Sequence, residues 1–401
     1  MGEILFLAHR IPFPPDRGDK IRSHHVLKAL AKLAPVHVGC LAESDEDRAH
    51  EPELAAIAAS HCLATRKGNL PFDGIKALAT GRPVSETSFY SRTLQDWVDR
   101  TLAEKTIDAI YVFSGQMTAY LPEHLEQKLV IDFVDADSAK FAAYADDGGP
   151  MGWVYRREAN LVRSMEERFA ARADHCLLIS AEEAAAFGVG LPSDHTYDLQ
   201  VIGNGIDAAA FDPAGTESDP LALYHHPRLI FTGQMDYPPN IAAAELLATK
   251  ILPQVRETVP DATLHIVGRN PTDAVRALES EGVRVWGKVR EMRDFLGAAD
   301  IAVVPLEIAR GVQNKVLEAM AMALPCVVSE GAATGIPARN GRDFLVASSA
   351  EDTVAAIVAL ANDTEAALEM GRAARRWTLE NASWEAALAD LPKLVGMEDA
   401  A

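Results

Sequence analysis

The feature that most constrains this chain is an alternation that runs through it twice. Short apolar runs of strand length are separated by stretches with helical spacing. In the first half the runs are Ile4–Ala8, Val36–Leu41, Ala109–Phe113, Leu129–Phe133 and Cys176–Ile179. Helical spacing is clearest there over Ile21–Leu33, Leu94–Glu104 and Tyr155–Ala173. In the second half the runs are Leu229–Thr232, Thr263–Val267, Val283–Trp286, Ile301–Val304 and Cys326–Ser329. The helical stretches are Ile241–Leu247, Thr272–Glu281, Glu291–Ala298 and Lys315–Ala323. Strands alternating with helices imply right-handed βαβ units and a parallel sheet. At 401 residues the chain is long for one core and suited to two. The expected architecture is α/β, with two doubly wound, Rossmann-like domains facing a cleft.

The boundary is expected near Gly203-Asn204-Gly205 and the turn-rich stretch Asp212–Pro220, after which the strand pattern restarts. This gives a first domain over 1–205, a second over 206–376, and a last segment over 377–401. In that segment Trp377–Leu394 reads as a helix that crosses back onto the first domain. Ligands of open parallel sheets sit outside the carboxyl ends of the strands, so chemistry is sought there.

Charge and cysteine usage narrow the function. The formal net charge is -20, and both halves are acidic: 21 basic against 30 acidic side chains over 1–205, and 17 against 28 beyond. Neither half carries the positive field that non-specific nucleic-acid binding needs. The four cysteines, Cys40, Cys62, Cys176 and Cys326, form no CxxC pair, so a reducing compartment fits and a metal cluster does not. The opening MGEILFLAHR reads as a first buried strand and not as a signal peptide. No run approaches the roughly 18 apolar residues of a spanning helix, so membrane contact is expected only at the periphery.

The sharpest motif is ARGVQNKVLEAMAMALP, residues 309–325. A strand ends at Val304, a loop follows, and a helix is expected from about Asn314. Gly311 permits close backbone approach, and free N–H groups at the helix start can cradle a diphosphate with the help of the dipole. Arg310 and Lys315 bring positive charge to the same place. Glu318 lies three residues after Lys315 and four after Asn314, so the three share one face. A carboxylate just past a phosphate cradle suits a grip on ribose hydroxyls. An ordinary amphipathic helix with Glu318 in water fits the same residues, and composition alone leaves both readings open.

Residues 311–325 resemble the donor-binding helix of the retaining GT4 glycosyltransferases. FTGQMDYPPN (231–240) is similar to the strand and loop that open that family's second domain, and HIVGRNP (265–271) to its next strand end. VIGNGID (201–207) resembles its interdomain segment, and LLISAEEAAAF (177–187) the last strand and helix of its first domain. The combination of DRGDKIRSHH, DFVDADS and ARGVQNKVLEAMAM is closer still to sugar transferases associated with PEP-CTERM/exosortase and exopolysaccharide loci. The resemblance covers nearly the whole chain. It implies a GT-B fold and a cytoplasmic, metal-independent enzyme without a cofactor, moving a sugar from a nucleotide-diphosphate-sugar to a glycan or lipid-linked acceptor. On this resemblance the donor would be held by Gly233, Gln234, Gly268, Arg269, Gly311, Val312, Gln313, Asn314 and Glu318, with Glu318 on the ribose.

Three departures bear on the chemistry. The family's second glutamate, eight positions before Glu318, is Arg310 here. The positions where the family often places an arginine and a lysine after the first strand of this domain are Gln234 and Asn240. A diphosphate stripped of cations in a dry site is costly. Arg310, Lys315 and Arg269 are therefore expected to replace the missing charge, with Lys315 and Arg310 in catalytic roles.

On the acceptor side, Pro14–Lys20 resembles the family's glycine loop. It offers Arg17, Gly18 and Asp19 as acceptor contacts, with Arg22 behind them. Lys20, Arg22, Lys28 and Lys32 occur with no acid between them, so one helix face either meets an anionic acceptor or lipid surface or is simply solvated. DFVDADS (132–138) falls where many family members carry a histidine that contacts the donor sugar. Here Asp135 is the first candidate for that role and Asp132 the second, with Ser138 nearby on the acceptor side. Asp135-Ala136-Asp137 also spells a DxD tripeptide, but nothing around it fits a metal-dependent fold and no metal is expected. Two rival functions remain: a nucleotide-sugar epimerase of the same fold, or a non-catalytic binding subunit.

Overall fold

A computed structural model of the chain describes residues 2–66, 81–146, 151–193, 195–306 and 312–398. Its contacts divide it into two compact units, Met1–Asn204 with Ala387–Ala401, and Gly205–Ala386.

The first unit is built on seven parallel strands: β1 (Glu3–Ala8), β2 (Val36–Ala42), β3 (Ser60–Thr65), β4 (Ile107–Phe113), β5 (Lys128–Val134), β6 (His175–Leu178) and β7 (Leu199–Val201). Their order is β3-β2-β1-β4-β5-β6-β7. The second unit has six: β8 (Arg228–Thr232), β9 (Thr263–Val267), β10 (Val283–Gly287), β11 (Ile301–Val304), β12 (Cys326–Ser329) and β13 (Leu345–Ala347), in the order β10-β9-β8-β11-β12-β13. Strand order reverses between β1 and β4 in one sheet and between β8 and β11 in the other. Helices on both faces bury the central strands. β2, β8 and β9 are buried along their whole length, as sheets covered on both sides require. These are the two doubly wound, Rossmann-like sheets of a GT-B fold.

The sequence pattern missed β3, β7 and β13, and all three are sheet edges. An edge strand pairs on one side only and need not be continuously apolar. Ser60-His61-Cys62 and Leu199-Gln200-Val201 are half-buried or exposed accordingly.

Seven helices matter below: α1 (Gly18–Leu33), α2 (Asp137–Asp146), α3 (Gly152–Ala170), α4 (Ala181–Val189), α5 (Pro238–Leu246), α6 (Asn314–Ala321) and α7 (Thr364–Asn381). Two helical readings are corrected. Over 272–281 only Asp273–Arg276 is helical, capped by the Thr272 hydroxyl. The stretch Trp377–Leu394 is not one helix. Trp377 belongs to α7, which stops at Asn381. Ser383 then accepts from the Ala386 N–H and starts a new short turn, and Pro392 opens another over Leu391–Leu394. Each restart comes from a residue that favours a helix beginning over continuation. The last turn buries Leu391 and Leu394 and packs beside α1 within the first unit. No helix among the described residues is long and apolar enough to cross a membrane.

Candidate functional site

In the second unit the carboxyl ends of β8, β9 and β10 meet the start of α6 around a cavity of about 550 Å³. The loops that follow these strands are laced together. Gly233 donates its N–H to Val267 O at 3.1 Å, and Gly268 donates to Gly287 O at 2.9 Å. Gly268 must be glycine, because a Cβ there would lie 1.6 Å from the Gly233 carbonyl oxygen. Close backbone approach at a strand end keeps the cavity floor low, which is what a phosphate seat needs.

The cavity is lined by Gly233, Gln234, Gly268, Arg269, Asn314, Lys315 and Glu318 of the expected set. Gln313 is the residue before α6, and its side chain makes no capping bond to the helix. The N–H groups of Asn314 and Lys315 make no backbone hydrogen bond among the described residues. Val312 is exposed. Arg310 and Gly311 lie outside the described residues. Met320 and Met322 are core.

Lys315 is half-buried. Its Nζ donates to Asn240 Oδ1 at 2.5 Å and stands 5.0 Å from the centre of the Phe231 ring. The Asn240 amide in turn donates to Gln234 O at 2.9 Å. Lys315 therefore reaches the position where the resemblance leads one to expect a lysine, and a neutral amide holds it there. Burial lowers its pKa to about 8, and the charge of Glu318 offsets this only in part. Glu318 is raised by burial and lowered less by Lys315. No ion pair joins the two. Among the described residues, Glu318 has no hydrogen-bond partner for its carboxylate.

Sequence reading missed two cations here. Lys288 and Arg290 follow β10 and also line the cavity. A search of every strand end in the second half would have found them. With Arg269 and Lys315 they make four cations facing one carboxylate, in a chain of net charge -20. Arg269 is bonded to the neutral Gln234 Oε1 at 2.8 Å.

In the first unit the candidate residues divide differently. Arg22, expected at the acceptor, is 1% exposed. Its Nε and Nη2 donate to Asp132 at 2.9 and 3.2 Å, and its Nη1 donates to Ile202 O at 2.8 Å. Tyr111 donates to the same carboxylate at 2.8 Å. Arg22 and Asp132 are thus a buried strut between α1, β5 and the segment that follows β7. Lys20 is buried too, paired with Asp47 at 2.7 Å. The basic helix face is corrected accordingly: of its four cations only Lys28 and Lys32 are exposed. Ser138, also expected on the acceptor, is buried. Its N–H and hydroxyl both bond the Glu166 carboxylate from α3.

Arg17 and Gly18 are exposed after β1. Asp19 is bound by Arg10 at 2.7 Å, by His9 Nε2 at 3.2 Å and by Arg17 at 3.2 Å. Burial raises its pKa, but the bond to His9 and the surrounding charges outweigh this and hold it well below the usual carboxylate range.

Asp135 follows a tight turn at the end of β5, in which its N–H donates to Phe133 O at 2.9 Å around Val134 at φ 70°. A β-branched residue is unfavourable at that angle. The turn leaves the Asp135 carboxylate exposed and without a hydrogen-bond partner among the described residues. It also delivers the Ala136 N–H to Glu183 of α4 at 2.7 Å. Burial and the Glu183 charge raise the Asp135 pKa. No group of three or more His, Cys, Asp or Glu among the described residues is arranged to hold a metal ion.

Known structures share this fold. HepE from Anabaena, solved with UDP and glucose, is 14% identical, with a TM-score of 0.58 over 99% of this chain and 100% of that one. Sucrose-phosphate synthase from Thermosynechococcus elongatus is 15% identical, with a TM-score of 0.59 over 98% of both chains. A glycosyltransferase from Rickettsia africae is 15% identical, with a TM-score of 0.62 over 98% and 97%. No curated protein matches the chain by sequence. Residues 226–363, which hold the cavity described above, match the family model of the group 1 glycosyl transferases, and with the shared fold this supports a glycosyltransferase.

Proposed function

We propose that the chain is a retaining, GT4-like hexosyltransferase that moves a sugar from a nucleotide-diphosphate-sugar to a glycan or lipid-linked acceptor in cell-surface polysaccharide synthesis. The observation that carries this reading is the cavity at the ends of β8, β9 and β10, with four cations and Glu318 around the start of α6. A departing nucleoside diphosphate gains negative charge in the transition state. Preorganised donors aimed at it stabilise that charge without reorganising. Lys315 and the first N–H groups of α6 supply such donors, and Arg269, Lys288 and Arg290 add field. Glu318 takes the ribose hydroxyls. Asp135 takes the place of the histidine that contacts the donor sugar, and Arg17 serves the acceptor side. The leaving diphosphate accepts the acceptor's proton, so neither a metal nor a separate base is required.

The HepE structures with UDP and UDP-glucose support a nucleotide-sugar ligand for this fold. The test is calorimetry with a panel of nucleotide diphosphates and nucleotide sugars, paired with transfer assays. Glu318→Ala should weaken donor binding by about tenfold or more, the loss of one or two charge-assisted hydrogen bonds, and slow chemistry less. Unchanged donor affinity would sink the ribose role. Donor turnover without any acceptor would point to an epimerase, and absence of donor binding to a non-catalytic subunit.

A further inference from the structure

A second cavity of about 500 Å³ opens on the second unit, between α7 and the loop that precedes β13. Arg342, Arg372 and Arg376 line it, with Glu369 the one acid among them, and Met370 and Ala373 bury its floor. Arg372 and Arg376 are one turn apart on α7 and both are exposed. Neither has an ion-pair or hydrogen-bond partner among the described residues. Arg342 stands 3.6 Å from Asp343 Oδ1.

Three arginines bordering one concavity against a single carboxylate leave an excess of positive charge there. Glu369 is the one carboxylate in this cavity, and it forms no ion pair with Arg372 or Arg376 among the described residues. The guanidinium fork matches phosphate oxygens bidentately, and three forks around one cavity suit a tetrahedral, multiply charged group better than a single carboxylate. The backing is rigid. On the inner side of the same helical turn, a Cβ at Gly371 would lie 2.0 Å from Ala323 O, at the end of α6. Arg375 bonds Ala321 O and Phe211 O and pairs with Asp212 at 3.2 Å. The backbone of the turn is thus fixed from behind, while the two outer cations carry no ion pair or hydrogen bond among the described residues.

We propose that Arg342, Arg372 and Arg376 form a phosphoryl-binding site distinct from the nucleotide cavity. The phosphoryl group belongs either to a free small molecule or to a lipid headgroup. Arginine modification by phenylglyoxal, quantified residue by residue by mass spectrometry on the full chain, reads this site directly. Inorganic pyrophosphate at about four times its Kd should slow modification of Arg372 and Arg376 by about fivefold, an occupancy near four-fifths, while exposed Arg92 reacts unchanged. Protection should persist in Lys315→Ala, which separates this site from the nucleotide cavity. In the surface double variant Arg372→Gln/Arg376→Gln, the protection of Arg342 should disappear. Vesicles of phosphatidylglycerol, compared with phosphatidylcholine, form the second arm. Protection by the anionic vesicles alone assigns the site to headgroups, and protection by pyrophosphate assigns it to free phosphoryl ligands. Equal modification rates in every condition, or protection that vanishes with Lys315→Ala, would overturn the proposal.

Discussion

The ends of the first strands of the two sheets hold cations in opposite states. After β1, Arg10 and Arg17 are matched by Asp19 and Glu43, and Arg66 is matched by Glu43. Burial works against Glu43, but bonds from Arg10, Arg66 and Arg17 lower it to about 2. After β8, Lys315 and Arg269 lean on the neutral amides Asn240 and Gln234, and Lys288 and Arg290 have no ion-pair partner among the described residues. A cation paired inside its own fold has little left to give a ligand. A cation held in place by an amide keeps its charge for an anion. Count of basic residues therefore misleads, and the partner decides.

The comparison can be broken in the first unit by Arg22→Leu. That change leaves Asp132 buried and short of a counter-charge, and should cost about 3–5 kcal/mol of unfolding free energy in denaturant titrations. A near-wild-type midpoint would mean the strut is not structural. In the second unit, Lys315→Ala should lower turnover by about 10²–10³ while the melting temperature holds or rises, since a partly buried charge is removed. Wild-type turnover in that variant would remove its role in stabilising the leaving group.

The state of Lys315 also predicts a pH signature. Its pKa in the free protein is about 8, below the usual lysine value. An anion seated beside it restores the protonated form. Nucleotide diphosphate binding should then take up about half a proton at pH 8, more at pH 9 and almost none below pH 7, and affinity should fall as pH rises past 8. Calorimetry in buffers of different ionisation enthalpy measures this, and Lys315→Met should abolish it. The stability linkage runs the opposite way. The unfolded chain holds the lysine proton more tightly, so this group makes folding more favourable as pH rises from 8 towards its ordinary value. The smallest effect belongs to Arg17→Ala. Its pairs with Asp19 and Glu43 are solvent-facing, so stability should change by under about 1 kcal/mol. A larger loss would show that the first unit's network acts cooperatively.

Central strands were legible because burial on both faces forces an apolar run, as in Leu229–Thr232 and Thr263–Val267. Edge strands β3, β7 and β13 were not, since half-exposed backbone tolerates Ser60, His61 or Gln200. Gly268 was named through the family resemblance, and the distance to the Gly233 carbonyl gives the physical reason for it. Lys288 and Arg290 were passed over because a lysine and an arginine in a loop look like ordinary solvated charge until a cavity is seen beside them. The face with Lys20 and Arg22 was read as either binding or solvated, and both residues are buried, because sequence displays charge and hides partners. Asp132 lies 110 residues from Arg22 and Asp47 lies 27 from Lys20.

By itself the sequence determined two parallel sheets with helices between strands, and a helix whose first turns carry Asn314, Lys315 and Glu318 on one side. Both follow from local rules, the periodicity of burial and the 3.6-residue turn. Only the tertiary structure decided which cations are spent and which are available. Electrostatic pairing depends on distances of a few ångströms between residues far apart in the chain, and no local pattern records those distances.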